Sequence, residues 1–346
     1  MNPGERAPDS VSRHSGAASR LAETLRSRDA LLALALVVLI GLVATRAPEF
    51  ASPARLAAVF NDSAILIVLA LGQMLVILSR CIDLSMAANL ALVGMIVAMT
   101  NAAVPEVPIV VLALMAIALG AALGAINGLL VWKLDIPPIV VTLGTLTIFR
   151  GIIFLVSDGK WVNAHEMSPA FKSLPRTEFL GLPVLSWIAI LAVLGALVLV
   201  NRTPFGRALY AVGGNPEAAV YTGIDVGRTR CLAFVAAGAV SGLCGYLWVS
   251  RYAVAYVDVA AGFELDVVAA CVIGGISIAG GIGTVAGALM GALFLGTIKN
   301  ALPVVDISPF WQLAISGTAI IVAVALNARS ERRVGRIILR DAEKGA

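Results

Sequence analysis

An all-α protein threaded about ten times through a lipid bilayer is the fold class predicted here, and three observations predict it. Long apolar runs separated by short polar breaks fill the chain from Ala30 to Asn327. Apolar residues make up 60% of the 346 and charged residues 13%, against roughly 45–50% and 25% in soluble domains. Lys and Arg are also distributed unevenly between the breaks, as the positive-inside rule requires. A span needs about 20 mostly apolar residues to cross about 30 Å of hydrocarbon. It must be helical, because lipid offers no partner for a free backbone N–H or C=O.

Taken in order, the runs place spans at Asp29–Thr45, Ser63–Ser79, Leu84–Thr100, Val107–Trp132 and Pro138–Val156 in the first half. Val184–Val200, Thr229–Val249, Leu265–Ala279, Ile282–Asn300 and Pro309–Asn327 follow in the second. The eighth run is short and reads as a broken or re-entrant helix. Ten crossings put both termini on one side. That side collects 17 of the 25 Lys and Arg, and the other side 7, with Arg150 inside a span. Both termini and the loop 201–228 are therefore expected in the cytoplasm, and the loop 157–183 outside. The domains expected are a basic tail over residues 1–29, a transmembrane domain over 30–328 and a second basic tail over 329–346. Twenty-nine mostly polar residues precede the first run and no A-x-A site follows it, so no cleaved leader is expected.

Several function classes fall away. The basic tails lack aromatic interleaving and flank apolar spans, so nucleic acid is not expected as a partner, whereas membrane lipid is. Cys81, Cys231, Cys244 and Cys271 show no metal-ligand spacing and read as small buried apolar residues. Gly275-Ile276-Ser277-Ile278-Ala279 loosely resembles the serine turn of intramembrane proteases. A serine nucleophile needs a base, however, and the two histidines, His14 and His165, lie outside every span. No HExxH and no GxxxxGK[ST] sequence occurs. No catalytic residue, metal or bound cofactor is expected, and any ATPase driving transport would be another chain.

Charges inside apolar runs cost about 2.5–3.5 kcal/mol on insertion scales and need a reason. Asp83, in Ile82-Asp83-Leu84-Ser85, either lines a polar pocket or caps the helix that follows, with capping preferred. Ser85 and Asn89 belong to the same polar set. Arg150 either pairs with a carboxylate or reaches toward the interface. Glu264 and Asp266 sit at the positive end of the short eighth helix and need no further role there. Gly283-x-x-x-Gly287-x-x-x-Gly291 has the spacing of close helix packing. Gly274-Gly275 and Gly280-Gly281 read instead as helix breaks.

In the loop 201–228, Asn215-Pro216-Glu217 is a good helix start, with Asn at the cap, Pro at the first position and Glu in the first turn. Glu217–Thr222 makes a short helix that Gly223 ends. This loop resembles the cytoplasmic coupling segment of bacterial ABC-importer permeases, and more narrowly of the ribose-type permease family. Gly72-Gln73, Ile82-Asp83-Leu84-Ser85, the run from Pro138 to Thr145, Arg150-Gly151, the glycine pairs through Gly287, and Ser308-Pro309-Phe310-Trp311-Gln312 match that pattern in order. The match extends over nearly the whole chain after residue 60.

The resemblance implies a permease of about ten helices in the bacterial inner membrane that pairs with a second permease, a copy or a paralogue. Two ATP-binding subunits would hydrolyse ATP below, and an extracytoplasmic sugar-binding protein would deliver a monosaccharide above. On that basis Gly206, Arg207, Gly213, Asn215, Glu217, Ala218, Ala219, Gly223 and Ile224 are the expected ATPase-contact segment. Arg80-Cys81 before the Ile-Asp-Leu-Ser motif, Met86-Ala87-Ala88 after it, and Asn300-Ala301-Leu302-Pro303 depart from the ribose pattern. The segment from Arg80 to Asn89 looks closer to rhamnose-type and autoinducer-2-type branches, and a deoxyhexose such as rhamnose is the expectation. Related permeases for branched-chain amino acids or nucleosides, and an ion-driven secondary transporter, are the rivals. The last would need buried carboxylates for coupling ions, and Asp83 is the one plausible candidate.

Overall fold

The computed structural model describes residues 28–308 together with Trp311, Ala314, Gly317, Thr318 and Ile321. Both tails, and most of the expected span Pro309–Asn327, lie outside the described residues. Twelve α-helices are described: α1 Arg28–Ala44, α2 Pro53–Leu78, α3 Met86–Ala103, α4 Ile109–Lys133, α5 Pro138–Ser157, α6 Pro169–Ser173, α7 Val184–Arg202, α8 Pro204–Gly214, α9 Pro216–Tyr221, α10 Val226–Tyr252, α11 Phe263–Ile273 and α12 Val285–Val304. Two-residue strands β1 (Glu178–Phe179) and β2 (Leu182–Pro183) pair antiparallel in the loop before α7. Seven of the described helices, α2, α3, α4, α5, α7, α10 and α12, are long and apolar enough to cross a membrane.

The bundle is built around α2. Every residue from Ser63 to Leu78 is buried, so this helix is hydrophobic all round because protein surrounds it on every side. α7, α10, α11 and α12 pack against it. α4 is the opposite case. Its buried residues, Leu112, Ala116, Gly120, Gly124, Asn127, Gly128 and Val131, form one stripe, while Val110, Leu114, Ile126 and Leu129 are exposed apolar residues facing away. That stripe makes the most extensive helix contact in the molecule, against α10. The approach is close because the facing residues lack side chains. A Cβ at Gly120 would stand 2.3 Å from the Gly238 carbonyl oxygen, and one at Gly238 would stand 2.4 Å from that of Gly120. Small residues are the means by which helices associate in lipid, where no hydrophobic force separates helix from solvent.

The connections gather at two ends. At one lie residues 45–52, 104–108, 158–183 and 253–262. The chain at Val162 pairs with that at Ala255 through two backbone hydrogen bonds of 3.0 and 2.9 Å, and Trp161 stacks on Tyr256 at 5.0 Å. Asn101 accepts from the Ser168 N–H and donates to its Oγ. The Asn163 N–H donates to Glu166 Oε2 at 2.7 Å, which holds that carboxylate below its usual range. At the other end lie 79–85, 134–137, 203–225 and 274–284.

The short eighth run is half a span. α11 is 11 residues long, about 16 Å at 1.5 Å per residue, against about 30 Å of hydrocarbon. It stops at Gly274 and Gly275, the latter at φ 80°. The chain then makes a turn, in which the Gly280 N–H donates to the Ser277 carbonyl at 2.9 Å, and reaches the opposite end, where the Gly281 N–H donates to the Leu78 carbonyl at 3.1 Å. The glycine pairs therefore break the helix as expected. Of the expected four-residue repeat, Gly287 and Gly291 pack against α11, where Cβ atoms would stand 2.2 Å from the Gly274 oxygen and 2.0 Å from that of Ala270. Gly283 precedes α12 and belongs to the connecting segment instead.

Two expected boundaries need correction. α2 begins at Pro53, ten residues before the apolar run, because Ser52 caps it and the polar Asn61 and Asp62 sit within its first half. The loop before Asn215 is itself helical over Pro204–Gly214, where no element was expected.

Candidate functional site

The expected contact segment is a helical pair at the end that carries residues 79–85 and 274–284. Thr203 caps α8, its Oγ1 accepting from the Gly206 N–H at 3.1 Å, and Pro204 occupies the first turn. Asn215 caps α9, its Oδ1 accepting from the Ala218 N–H at 3.0 Å. Gly223, at φ 82°, turns the chain out of α9, and the Ile224 N–H closes the turn on the Ala219 carbonyl. The nine expected residues divide by role. Gly206, Gly213 and Ala219 are buried and seat the pair on the bundle. A Cβ at Gly213 would stand 1.8 Å from the Leu78 carbonyl oxygen. Arg207, Asn215, Glu217, Ala218 and Gly223 are exposed, and Ile224 is half-buried. The sequence reading passed over the most prominent residues of this surface, Val220 at 60% and Tyr221 at 91% exposure. An apolar pair at the tip of a capped helix beyond the apolar runs was the signal available for them.

Behind α8 the chain is pinned to the bundle by polar contacts. The Tyr210 hydroxyl donates to the Gly283 carbonyl at 2.7 Å, and Arg230 Nε donates to the Ser79 carbonyl at 3.3 Å. α8 thus touches the end of α2 and the 274–284 segment, and α10 holds the start of the 79–85 segment.

Asp83 lies on the 79–85 segment and is 3% exposed. Its Oδ1 accepts from the Ser85 N–H at 2.8 Å and from Ser85 Oγ at 2.6 Å. Ser85 is the cap position of α3, and neither side chain reaches a first-turn N–H. Asp83 therefore fixes the residue that leads into the helix rather than capping the helix itself. In the orientation that satisfies both partners, the Gln73 amide donates to the Asp83 carbonyl and accepts from its N–H, each at 3.2 Å. Asn127 Nδ2 donates to Ser85 Oγ at 2.7 Å, and Asn89 Nδ2 donates to the Gly120 carbonyl at 3.1 Å. The set is a buried knot joining α2, α3 and α4.

Arg150 Nη1 donates to the Val257 and Val259 carbonyls at 2.8 and 2.7 Å, which ties α5 to the loop leading into α11, at one end of the bundle. Asp266 does more than accompany a helix end, for it forms an ion pair with Lys299 of α12. The four cysteines are free and buried. Among the described residues no cluster of His, Cys, Asp or Glu could hold a metal ion.

At the end that holds residues 158–183, a cavity of about 340 Å³ opens between α2, α10, α11 and α12. Asp62, Ile65, Trp248, Arg251, Tyr252, Phe263, Lys299 and Asn300 line it. Asp62 forms an ion pair with Arg251, whose Nη1 also donates to the Asn61 carbonyl at 2.8 Å. No sequence motif marked this cavity, because its lining comes from four helices spread over 239 positions, from 62 to 300.

These features define a class: a helical membrane protein with a broken eighth span and an exposed helical pair seated on one end of the bundle. Residues 55–324 match the family described as branched-chain amino acid transport system / permease component, and the chain belongs to that family. It is 38% identical over 294 residues to the ribose import permease protein RbsC of Bacillus subtilis (strain 168), covering 85% of this chain and 91% of that one. It is 37% identical over 312 residues to the autoinducer 2 import system permease protein LsrC of Enterobacter sp. (strain 638), covering 90% of each. The ribose import permease protein RbsC of Escherichia coli (strain K12) is 34% identical over 300 residues, 86% of this chain and 93% of that one. No solved structure matches the chain at the same stringency. The protein is a multi-pass protein of the bacterial inner membrane.

Proposed function

We propose that the chain is the transmembrane subunit of an ATP-driven importer of a ribose-type or autoinducer-2-type sugar. The observation that carries the reading is the capped pair α8–α9, which presents Val220 and Tyr221 outward and is seated through Gly213 on the Leu78 turn. Such an element grips a partner and moves as a unit. The relatives named above supply the direction and the solute class. Ten spans, cytoplasmic termini and a transmembrane domain over 30–328 complete the reading.

ATP is hydrolysed by two partner subunits that take α9 into a groove, and this chain binds no cofactor. A second permease, a copy or a paralogue, completes the route, and an extracytoplasmic binding protein delivers the sugar at the end that holds 158–183. ATP-driven closure of the partners tilts α7 and α10 through α8 and α9, and through Tyr210 it draws on the 274–284 segment, so the route opens alternately to the two sides. Rhamnose, expected from the Arg80–Asn89 segment, competes with ribose and autoinducer-2 in the same assay.

The test is uptake into vesicles containing the permease, its ATPases and its binding protein. Sugar uptake should require ATP and survive sodium and proton uncouplers. Uptake by the purified chain alone, or uptake that follows an ion gradient without ATP, would refute the reading.

A further inference from the structure

The geometry points to the cavity between α2, α10, α11 and α12 as a binding site, within this chain, for the neutral polyhydroxylated solute. This inference rests on the transport reading above and adds to it the place where the permease itself contacts the solute.

Three observations support the assignment. The first is size and place. A cavity of about 340 Å³ falls within the range of small-molecule sites, about 300–1,000 Å³. It opens at the end opposite α8 and α9, and α11, one of its walls, is the half-span. The second is charge. Asp62 is paired with Arg251, and Lys299 with Asp266. The four formal charges cancel, and each already has its partner inside the protein. A charged solute therefore finds no unpaired counter-ion among these four groups. A hydroxylated neutral solute needs none. Carboxylate oxygens keep free lone pairs while paired, and guanidinium and ammonium keep free N–H groups, so adjacent hydroxyls can donate to one and accept from the other.

The third is the aromatic wall. Trp248 lies edge to face with Phe263 at 5.1 Å, their rings inclined by 72°. The Phe263 ring is also covered by Lys299 Nζ at 5.4 Å from its centroid. The indole is thereby held in one orientation beside polar groups, giving an apolar face next to hydrogen-bonding edges. The C–H face of a sugar ring suits such a wall. Asn300 adds an amide whose Nδ2 donates to the Gly296 carbonyl at 3.0 Å, leaving its oxygen and second N–H for a ligand.

The two ion pairs also divide the site. Asp62–Arg251 joins α2 to α10, and Asp266–Lys299 joins α11 to α12. The cavity therefore lies between two internally tied helix pairs.

The experiment uses the complete importer in vesicles, supplied with an equimolar mixture of ribose and rhamnose, and reads the ratio in which the two accumulate. Trp248→Phe, Trp248→Ala, Asn300→Ser and Asn300→Ala are compared with the unaltered chain. Contact with the solute changes the ratio by about tenfold in at least one variant, the size of one hydrogen bond or stacking contact. A role in packing alone lowers uptake of both sugars equally and leaves the ratio unchanged. The Phe and Ser variants retain bulk and polarity, so they decide the matter if the Ala variants do not assemble. An unchanged ratio across the assembled variants overturns the assignment. If the unaltered importer accumulates leucine and neither sugar, it is the transport reading that fails, and the two failures are told apart.

Discussion

Single residues set how closely this bundle can close, and the glycines of α4 and α5 show both extremes. Gly120 meets Gly238 with no room for a methyl group, whereas nothing lies within 4 Å of a Cβ at Gly144. Gly120→Val should therefore separate α4 from α10. Overpacking of this kind costs about 1–3 kcal/mol, and it should act at the contact that also covers Cys231 beside Gly128. In detergent, Gly120→Val should unfold at a lower temperature and release Cys231 to a thiol reagent earlier than the unaltered chain. Gly144→Ala should leave the unfolding temperature equal or slightly higher, since Ala is favoured over Gly in a helix by up to about 1 kcal/mol. Equal behaviour of the two variants would show that the α4–α10 seam is looser than its atoms indicate. Arg150 illustrates the same economy with charge. Two backbone carbonyls are matched by one guanidinium, and a charge that looked costly in an apolar run is accounted for.

Elements were legible in the sequence wherever one local signal decides them. The apolar runs located α1, α3, α4, α5, α7, α10 and α12 because hydrophobicity and span length are local properties. Asn215-Pro216-Glu217 located α9 because a cap acts over three residues. The start of α2 was missed for a reason outside its own sequence: Asp62 is tolerated in that helix because Arg251, 189 positions later, neutralises it. α8 was missed because Gly206, Gly213 and Gly214 argue against a helix on propensity. Only the structure shows that Gly206 and Gly213 are required for the helix to lie against Val200 and Leu78. The outer cavity was illegible for the same reason as Asp62, its partners being contributed by four distant segments.

The exposed charges of the helical pair can be tested at this scale. Arg207 and Glu217 are exposed, and neither forms an ion pair among the described residues. Reversing both, Arg207→Glu with Glu217→Arg, should leave the fold and its unfolding temperature unchanged. It should lower co-purification of the ATPase subunits and ATP-driven uptake by about tenfold, the scale of charge pairs at a partner interface. Intact assembly and uptake in the double variant would remove these charges from the contact.

At the scale of the whole molecule, the two ends are built for different neighbours. One is capped by α8 and α9, with Arg202, Arg207, Arg228 and Arg230 close by in the chain and Lys133 at the same end of α4, and the other by the 158–183 loop and the cavity lined by Asp62 and Lys299. The positive-inside rule assigns the first end to the cytoplasm, and an even number of crossings would return both tails to it. This is open to direct measurement, because the four native cysteines are buried and an introduced thiol would be read against a low background. Ala164 and Tyr221 are exposed at opposite ends. In intact cells with a permeable outer membrane, Ala164→Cys should react with a membrane-impermeant maleimide, and Tyr221→Cys should react only after the inner membrane is opened. Ser15→Cys and Ser330→Cys should follow Tyr221→Cys. If one tail reacts with Ala164→Cys instead, the number of crossings is odd. Either α1 or the segment after Ser308, according to which tail it is, would then not cross, and the charge asymmetry would have to be explained by the loops alone. If instead Tyr221→Cys and both tails react from outside while Ala164→Cys is protected, the molecule is inverted, and α8 and α9 would face a compartment without ATP, which no ATP-driven importer can use.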